Sequence, residues 1–297
     1  MAITLFTNPS AMSASNALQK ANSTLATAME HLGTGKRITK ASDDAAGLQV
    51  ATRLQGQTNG MAVAQRNIAD ASTMLQTGEG AMDEVSNIMY RMKDLATQGA
   101  TDTNTADSRK AIDTEMDSLK TELNSIMSNT SYAGNKLFSD TKDASGTVTS
   151  KAKMGAEMTF QTGSESGETT KVDVSSQLSN VFSSINTLST ASVQDSADGK
   201  TSGTTNANAL IDTLNTALDN VSSLRSSFGA SINGLSHASA NLTNMKDNTD
   251  QALGNIQDAD FASEASKMTR SQMLAQTSTS MLKQSNSMSS LVMSILG

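Results

Sequence analysis

Few residues in this 297-residue chain have side chains suited to chemistry. The two histidines are His31 and His237, and neither belongs to a His-Glu-x-x-His pattern, which sets two imidazoles on one helix face for a metal ion. Cysteine is absent, which removes thiol nucleophiles, thiolate ligands and a disulfide framework. Asp43 and Asp44 are adjacent carboxylates. Ser42 precedes them and a long helical pattern follows, so they fit an N-cap, where a carboxylate accepts backbone N–H bonds and faces the positive end of the helix dipole. Gly33 and Gly35 do not follow a strand, as a phosphate-cradling loop requires. No catalytic, metal-ligating or cofactor-binding set emerges, so the expectation is a protein that is not an enzyme and takes no cofactor.

The chain's order lies in its periodicity. From Leu54, steps of three and four residues pass through Gln57, Met61, Ala64, Ile68, Ala71, Leu75, Gly78, Met82, Val85, Met89 and Met92. All but Gln57 are apolar or small, which makes one seam of unbroken heptads on a helix running from Asp44 to Ala96. At about 1.5 Å per residue that helix is roughly 80 Å long, and it cannot bury its own seam. A matching seam opens at Leu210 and continues through Leu214, Ala217, Val221, Leu224, Phe228, Ser231, Leu235, Ala238, Leu242 and Met245. A third (Ile112, Met116, Leu119, Leu123, Ile126) follows a short polar turn at 101–105, which predicts an antiparallel neighbour for the first. The methionine-rich seam reads as core. A sliding interface between copies is the second reading, because methionine side chains repack readily.

The two ends carry heptads of another kind. Ala11, Ala14, Leu18, Ala21, Leu25, Ala28 and Leu32 form one, and Leu274, Met281, Met288 and Ile295 recur by sevens in the other, with Leu282 and Leu296 beside them. Lys20 is the only charge between Met1 and Ala28, and Lys283 the only one between Ser271 and Gly297. A polar but uncharged face fits a crowded, partly buried setting better than open water. On assembly, the Leu18, Leu25 and Leu32 seam is expected to pack on Leu274, Met281 and Met288. Gly33 and Gly35 read as the stop of the first helix, with Lys36, Arg37 and Lys40 as a basic connector. Residues 139–205 differ in kind. Met158–Gln161 and Val172–Val174 read as a β-hairpin about a turn at 163–167, residues 177–193 as a short amphipathic helix, and 194–206 as a loop.

The fold class expected is therefore mainly α: a long antiparallel helical bundle or coiled coil built from both halves of the chain, with a small β-hairpin region in the middle. Composition agrees, since aromatics are 3%, Trp is absent and Pro occurs once, so alanine-rich seams must do the packing. A net charge of −7 excludes a general nucleic-acid binder. No apolar run reaches about 18 residues, so no membrane insertion is expected. No basic, then apolar, secretory signal is visible, which alone reads as cytosolic.

Several motifs resemble bacterial flagellin: Leu32-Gly33-Thr34-Gly35-Lys36-Arg37-Ile38, Ser42-Asp43-Asp44-Ala45-Ala46-Gly47-Leu48, Arg53-Leu54 and Gln65-Arg66-Asn67. So do Gln76-Thr77-Gly78-Glu79-Gly80-Ala81, Arg91-Met92-Lys93-Asp94-Leu95-Ala96, Gly134-Asn135-Lys136-Leu137, Asp258-Ala259-Asp260 with Glu264, and the closing Ser294-Ile295-Leu296-Gly297. The likeness covers about residues 1–138 and 205–297, and Phe160-Gln161-Thr162-Gly163 resembles the hairpin of the family's inner rod domain.

The resemblance implies a structural subunit that self-assembles into a helical tubular filament used for motility. It implies a terminal coiled-coil domain (1–42 and 255–297) as filament core and a rod domain (43–254), with 139–205 as hairpin and variable region, and no large outer domains. Leu18, Leu25, Leu32, Leu274, Met281, Met288 and Ile295 would serve core assembly. Leu54, Met61, Ile68, Leu75, Met82, Met89, Leu224, Phe228, Leu235 and Leu242 would form the rod seam. The implied partners are further copies of the chain, an export chaperone, the filament cap and hook–filament junction proteins. Arg91, Leu95 and Glu115 match positions contacted by the animal flagellin-sensing Toll-like receptor, with Leu119 standing where well-recognised members have arginine. Flagellins leave the cell unfolded through the flagellar type III channel, so the resemblance reverses the cytosolic reading to a secreted, extracellular one. The alternative is a hook–filament junction protein, which shares the terminal helices. An enzyme would need the metalloprotease insert of some flagellins, and residues 139–205 hold no histidine.

Overall fold

A computed structural model describes residues 8–142, 148–194 and 202–296. In chain order the elements are α1 (Pro9–Thr34), α2 (Ala45–Gly99), α3 (Ala106–Asn129), the short strands β1 (Ser131–Tyr132), β2 (Asn135–Lys136), β3 (Thr141–Lys142) and β4 (Val148–Ser150), a 3-10 turn (Lys153–Gly155), β5 (Met158–Gln161), β6 (Thr169–Val172), α4 (Ser175–Ser189), α5 (Gly203–Gln257) and α6 (Phe261–Leu296). They form two compact units. One joins the two ends of the chain (Met1–Thr58 with Asp247–Gly297), and the other is Asn59–Lys246.

In the unit of the chain ends, α1 starts as its sequence dictates. Asn8 is the N-cap, its side chain accepting the N–H groups of Ser10 and Ala11, and Pro9 follows where a missing N–H costs nothing. Gly35 ends the helix in the left-handed conformation at φ 71°, donating its N–H to His31 C=O. Gly33 lies inside the helix and stops nothing, a correction to the reading of both glycines as breakers. α6 runs antiparallel to α1: Asn8 Nδ2 donates to Ser285 Oγ at 2.9 Å, while near the other end of α1 His31 faces Glu264. Besides His31, which faces Glu264, the buried residues are Ala14, Ala21 and Ala28 on α1, and Glu264, Ser271 and Ser278 on α6. Each set recurs every seven residues, and all but Glu264 are small, so the backbones come within 8 Å between Cα atoms along the pair. Larger side chains flank this line half-buried, namely Leu18, Leu25 and Leu32 on α1 and Met268 and Leu282 on α6, with Ala275 between the last two.

That arrangement corrects the expected pairing. Leu274 and Met281 are 52% and 62% exposed, on a flank of the Ser271–Ser278 line that α1 leaves uncovered. The contact stripe of α6 lies one residue further along, at Ala275 and Leu282, because close backbone approach selects Ser and Ala over Met. Met288 and Ile295 lie outside the residues whose side chains the structure describes.

In the second unit, the portions of α2 and α5 that it contains pack antiparallel, with Gln65 Nε2 donating to Thr243 Oγ1 and Arg225 reaching Glu79. Met61, Ile68, Leu75, Met82, Met89 and Met92 from α2 meet Leu210, Leu214, Val221, Leu224, Phe228, Leu235 and Leu242 from α5 in one buried cluster. Leu54, assigned to the same seam, is half-buried and belongs to the unit of the chain ends. Each fully buried Leu, Met or Phe contributes about 1.5–3 kcal/mol, far more than the alanines of the other unit. The methionines Met61, Met82, Met89 and Met92 are wholly enclosed within one chain, which rules out the sliding interface between copies. α3 and α4 add Ile112, Met116, Leu123, Leu178, Val181 and Ile185 to the cluster.

The β region lies on this helical framework. β5 and β6 pair antiparallel from Met158 opposite Val172 to Gln161 opposite Thr169. The second strand therefore ends at Val172, earlier than expected, and Val174 stands at the N-cap position of α4 with no side-chain capping bond. The small pairs β1–β2 and β3–β4 were not read from the sequence. β1 turns into β2 through Ala133 and Gly134, both at positive φ (49° and 80°), as a two-residue hairpin turn demands.

Candidate functional site

With no catalytic set in the sequence, the functional surface is one of contact. Among the described residues, nine large apolar side chains are exposed, and seven of them belong to the unit of the chain ends: Met12, Met29, Val50, Phe261, Met273, Leu274 and Met281. Ser, Thr, Asn and Gln are the commonest neighbours of those on α1 and α6, with Lys20 the only charge of the first two dozen residues, while Glu30 adjoins Met29 and Arg270 stands three residues before Met273. A face that is apolar at intervals and poor in charge gains little from exposure to water.

The connector between α1 and α2 fixes how these helices leave the rest of their unit. Lys36 pairs with Asp258 in an antiparallel bridge, Arg37 N–H donates to Gln257 C=O, and Ala259 N–H donates to Gly35 C=O. Arg37 Nη2 donates to Ile256 C=O at 3.0 Å. Both helix breaks, after α1 and after α5, are therefore stitched to each other. Asp44 accepts the Gly47 N–H at 2.8 Å, which is the expected N-cap. Asp43 instead accepts the N–H groups of Lys40 and Thr39, and these donors hold its carboxyl below its ordinary range. Ile38 is buried against Gly47, where a Cβ would come within 2.7 Å of Ile38 Cδ1. Lys40 Nζ donates to Glu30 at 2.6 Å, tying the connector back to α1.

On the second unit, Arg91 donates through Nε and Nη2 to Glu115 Oε1 (3.1 and 2.6 Å), an exposed ion pair between α2 and α3. Leu95 is 3% exposed and belongs to the core, which corrects its assignment as a direct contact for a receptor. Arg109, Asp113 and Lys120 were not singled out in the sequence, yet all three are buried on α3. Arg109 donates to Gly99 C=O and Thr204 Oγ1, Lys120 to Ala191 C=O at 2.6 Å, and Asp113 accepts from Ser192 Oγ, Val193 N–H and Gln194 Nε2. They fasten the connections around α3 to its helix. Their signal was present: they fall in three-and-four step with Met116, Leu123 and Met127, at seam positions. Among the described residues, no group of three or more His, Cys, Asp or Glu is arranged to hold a metal ion. His31 is buried against Glu264, and His237 is exposed on α5. Among those residues too, no helix is long and apolar enough to cross a membrane.

Comparison with known proteins gives this surface its context. The family profile "Bacterial flagellin N-terminal helical region" matches residues 6–143, and "Bacterial flagellin C-terminal helical region" matches residues 211–296. Flagellin A of Vibrio anguillarum is 32% identical over 381 aligned residues, covering the whole of both chains. Polar flagellin B/D of Vibrio parahaemolyticus serotype O3:K6 (strain RIMD 2210633) is 32% identical over 378, again across both chains entirely. The same fold is seen in a structure described as a flagellar hook-associated protein from Vibrio parahaemolyticus, at 20% identity and TM-score 0.55, covering 73% of this chain and all of that one. Identity at this level along the full length, on a helical framework whose exposed apolar residues gather on the terminal helices, shows that the chain belongs to the bacterial flagellin family and is a structural, non-catalytic subunit of the extracellular flagellar filament.

Proposed function

We propose that this subunit polymerises with copies of itself by burying the outward faces of α1 and α6. The observation that carries this is the exposure of Met12, Met29, Met273, Leu274 and Met281 on helices poorer in charge than the chain as a whole. The seam inside each chain is made of Ala and Ser and contributes little transfer free energy, so neighbours supply the apolar burial that the pair lacks. Residues 1–42 and 255–297 then form the filament core, and residues 43–254 the rod, with 139–205 as its variable part. Leu18, Leu25, Leu32, Met288 and Ile295 belong to the same core assembly.

As a member of the flagellar system, the subunit works with that system's other proteins. The specific partners proposed are an export chaperone, the filament cap and the hook–filament junction proteins, with export of the unfolded chain through the type III channel. Arg91 and Glu115, exposed and paired, are the proposed contacts for an animal Toll-like receptor, with Leu95 supporting them from below. The runner-up role, a hook–filament junction protein, shares the fold but lacks the full-length identity to filament flagellins. Electron microscopy of purified full-length protein under polymerising conditions separates the two. Filaments that elongate to micrometres from this chain alone support the proposal, and failure to elongate alone supports a junction role.

A further inference from the structure

The central line of the α1–α6 contact repeats from one heptad to the next, while its α6 flank changes from Met268 to Ala275 to Leu282. Ala14, Ala21 and Ala28 face a stripe in which Ser271, Ser278 and Ser285 recur by sevens. Sliding one helix by a heptad sets serine where serine was, so this stripe favours close approach but says little about alignment. In repetitive helix pairs, alignment is set by polar residues at single seam positions.

The repeat is broken at one place. Glu264 occupies the heptad position of Ser271 and Ser278 and faces His31. The two are 5% and 9% exposed and are the only buried ionisable residues described in this unit. Glu264 Oε1 accepts from Lys267 Nζ at 2.7 Å, and Oε2 lies 3.7 Å from His31 Nδ1. That distance is close enough for charge to be felt and too long for a hydrogen bond, and His31 Nδ1 has no hydrogen-bond partner. Glu264 is the carboxylate of α6 that faces this buried nitrogen, and Asp43 of the connector feels the imidazole more weakly. A one-heptad slip separates the two and leaves the buried Glu264 carboxylate with Lys267 alone, an unfavourable loss of part of its compensation, while His31 loses the carboxylate it faces.

We propose that the His31–Glu264 pair sets the register of α1 on α6. Every copy then presents Met12, Met29, Met273, Leu274 and Met281 in the same alignment. This consequence for neighbours rests on the assembly reading above, while the register within a chain does not. The competing determinant is the backbone bridge at Lys36 and Asp258, which any side chain at 31 or 264 would leave intact.

The absence of cysteine allows engineered pairs to report alignment without background. Asn8→Cys with Ser285→Cys reads the native register, and Asn8→Cys with Ser278→Cys reads a one-heptad slip. In polymerised full-length protein the first pair should close within each chain and the second should not. Glu264→Ser makes the stripe uniform and should lower the ratio of native to slipped cross-link by about tenfold or more. His31→Glu alone should act the same way, and His31→Glu with Glu264→His should restore the native cross-link. Polymer yield reports on assembly, and cross-link position reports on register. A single native cross-link surviving Glu264→Ser overturns the proposal in favour of the backbone bridge. Should neither pair close in Glu264→Ser, the exchanged pair decides: recovery of the native cross-link supports the proposal, and its absence, or closure of both pairs, overturns it.

Discussion

Ser164, in the turn between β5 and β6, sits where Gly60 of α2 would carry a side chain: a Cβ on Gly60 would lie 2.8 Å from Ser164 Cβ and 3.3 Å from its Cα. Asn67, two turns along, donates its Nδ2 to Gln161 C=O, so the hairpin is held to α2 at two points. Gly60→Ala must push the hairpin backbone away and should destabilise the monomer, despite the better helix propensity of alanine. Gly229→Ala, on α5 with nothing within 4 Å of the new Cβ, should stabilise by about 0.5–1 kcal/mol. Denaturant unfolding of the two variants should shift the midpoint in opposite directions.

Asp113 gives a second, larger effect. It is 6% exposed and accepts three hydrogen bonds from residues 192–194. Asp113→Ala strands the buried Val193 N–H and the Gln194 amide, and should cost about 2–3 kcal/mol, whereas Ser192→Ala removes one exchangeable hydroxyl and should cost about 1 kcal/mol. Equilibrium unfolding monitored by circular dichroism measures both.

Acid should loosen the unit of the chain ends. Lys40 and then Thr39 hold the Glu30 carboxyl below its ordinary range, the N–H groups of Lys40 and Thr39 do so for Asp43, and Lys267 does so for Glu264, with a smaller part from His31. A carboxyl depressed in the folded state stabilises it above the unfolded pKa, and that contribution is lost as pH falls through the folded value. Stability should thus hold near neutrality and fall progressively below about pH 4. Sedimentation of filaments across that range should show release of subunits, and Glu264→Gln should flatten the profile.

The sequence announced the helices of the second unit because Met, Leu, Ile and Phe recur there at seam spacing, and burial of large side chains follows size. It misled at α6 for the same reason. Leu274 and Met281 drew the eye, but close approach with α1 selected Ser271 and Ser278, and the large side chains turned outward. Arg109, Asp113 and Lys120 stand at seam spacing, but their roles were not legible, because no local pattern says that a charged side chain will find Thr204, Val193 or the Ala191 carbonyl far along the chain. Asp44 was legible because an N-cap is a local device.

The central claim is that the outward faces of α1 and α6 are buried by neighbouring copies. Peroxide footprinting of methionine, read by mass spectrometry on monomer and filament, tests it directly, since exposed thioethers oxidise to sulfoxide and enclosed ones resist. Met61, Met82, Met89 and Met92, wholly enclosed in a single chain, serve as internal references and should resist in both states. Met12, Met29, Met273 and Met281 should oxidise readily in the monomer and be protected in the filament. If Met273 and Met281 react as fast in filaments as in monomers, their faces are not the assembly surface and the account is wrong.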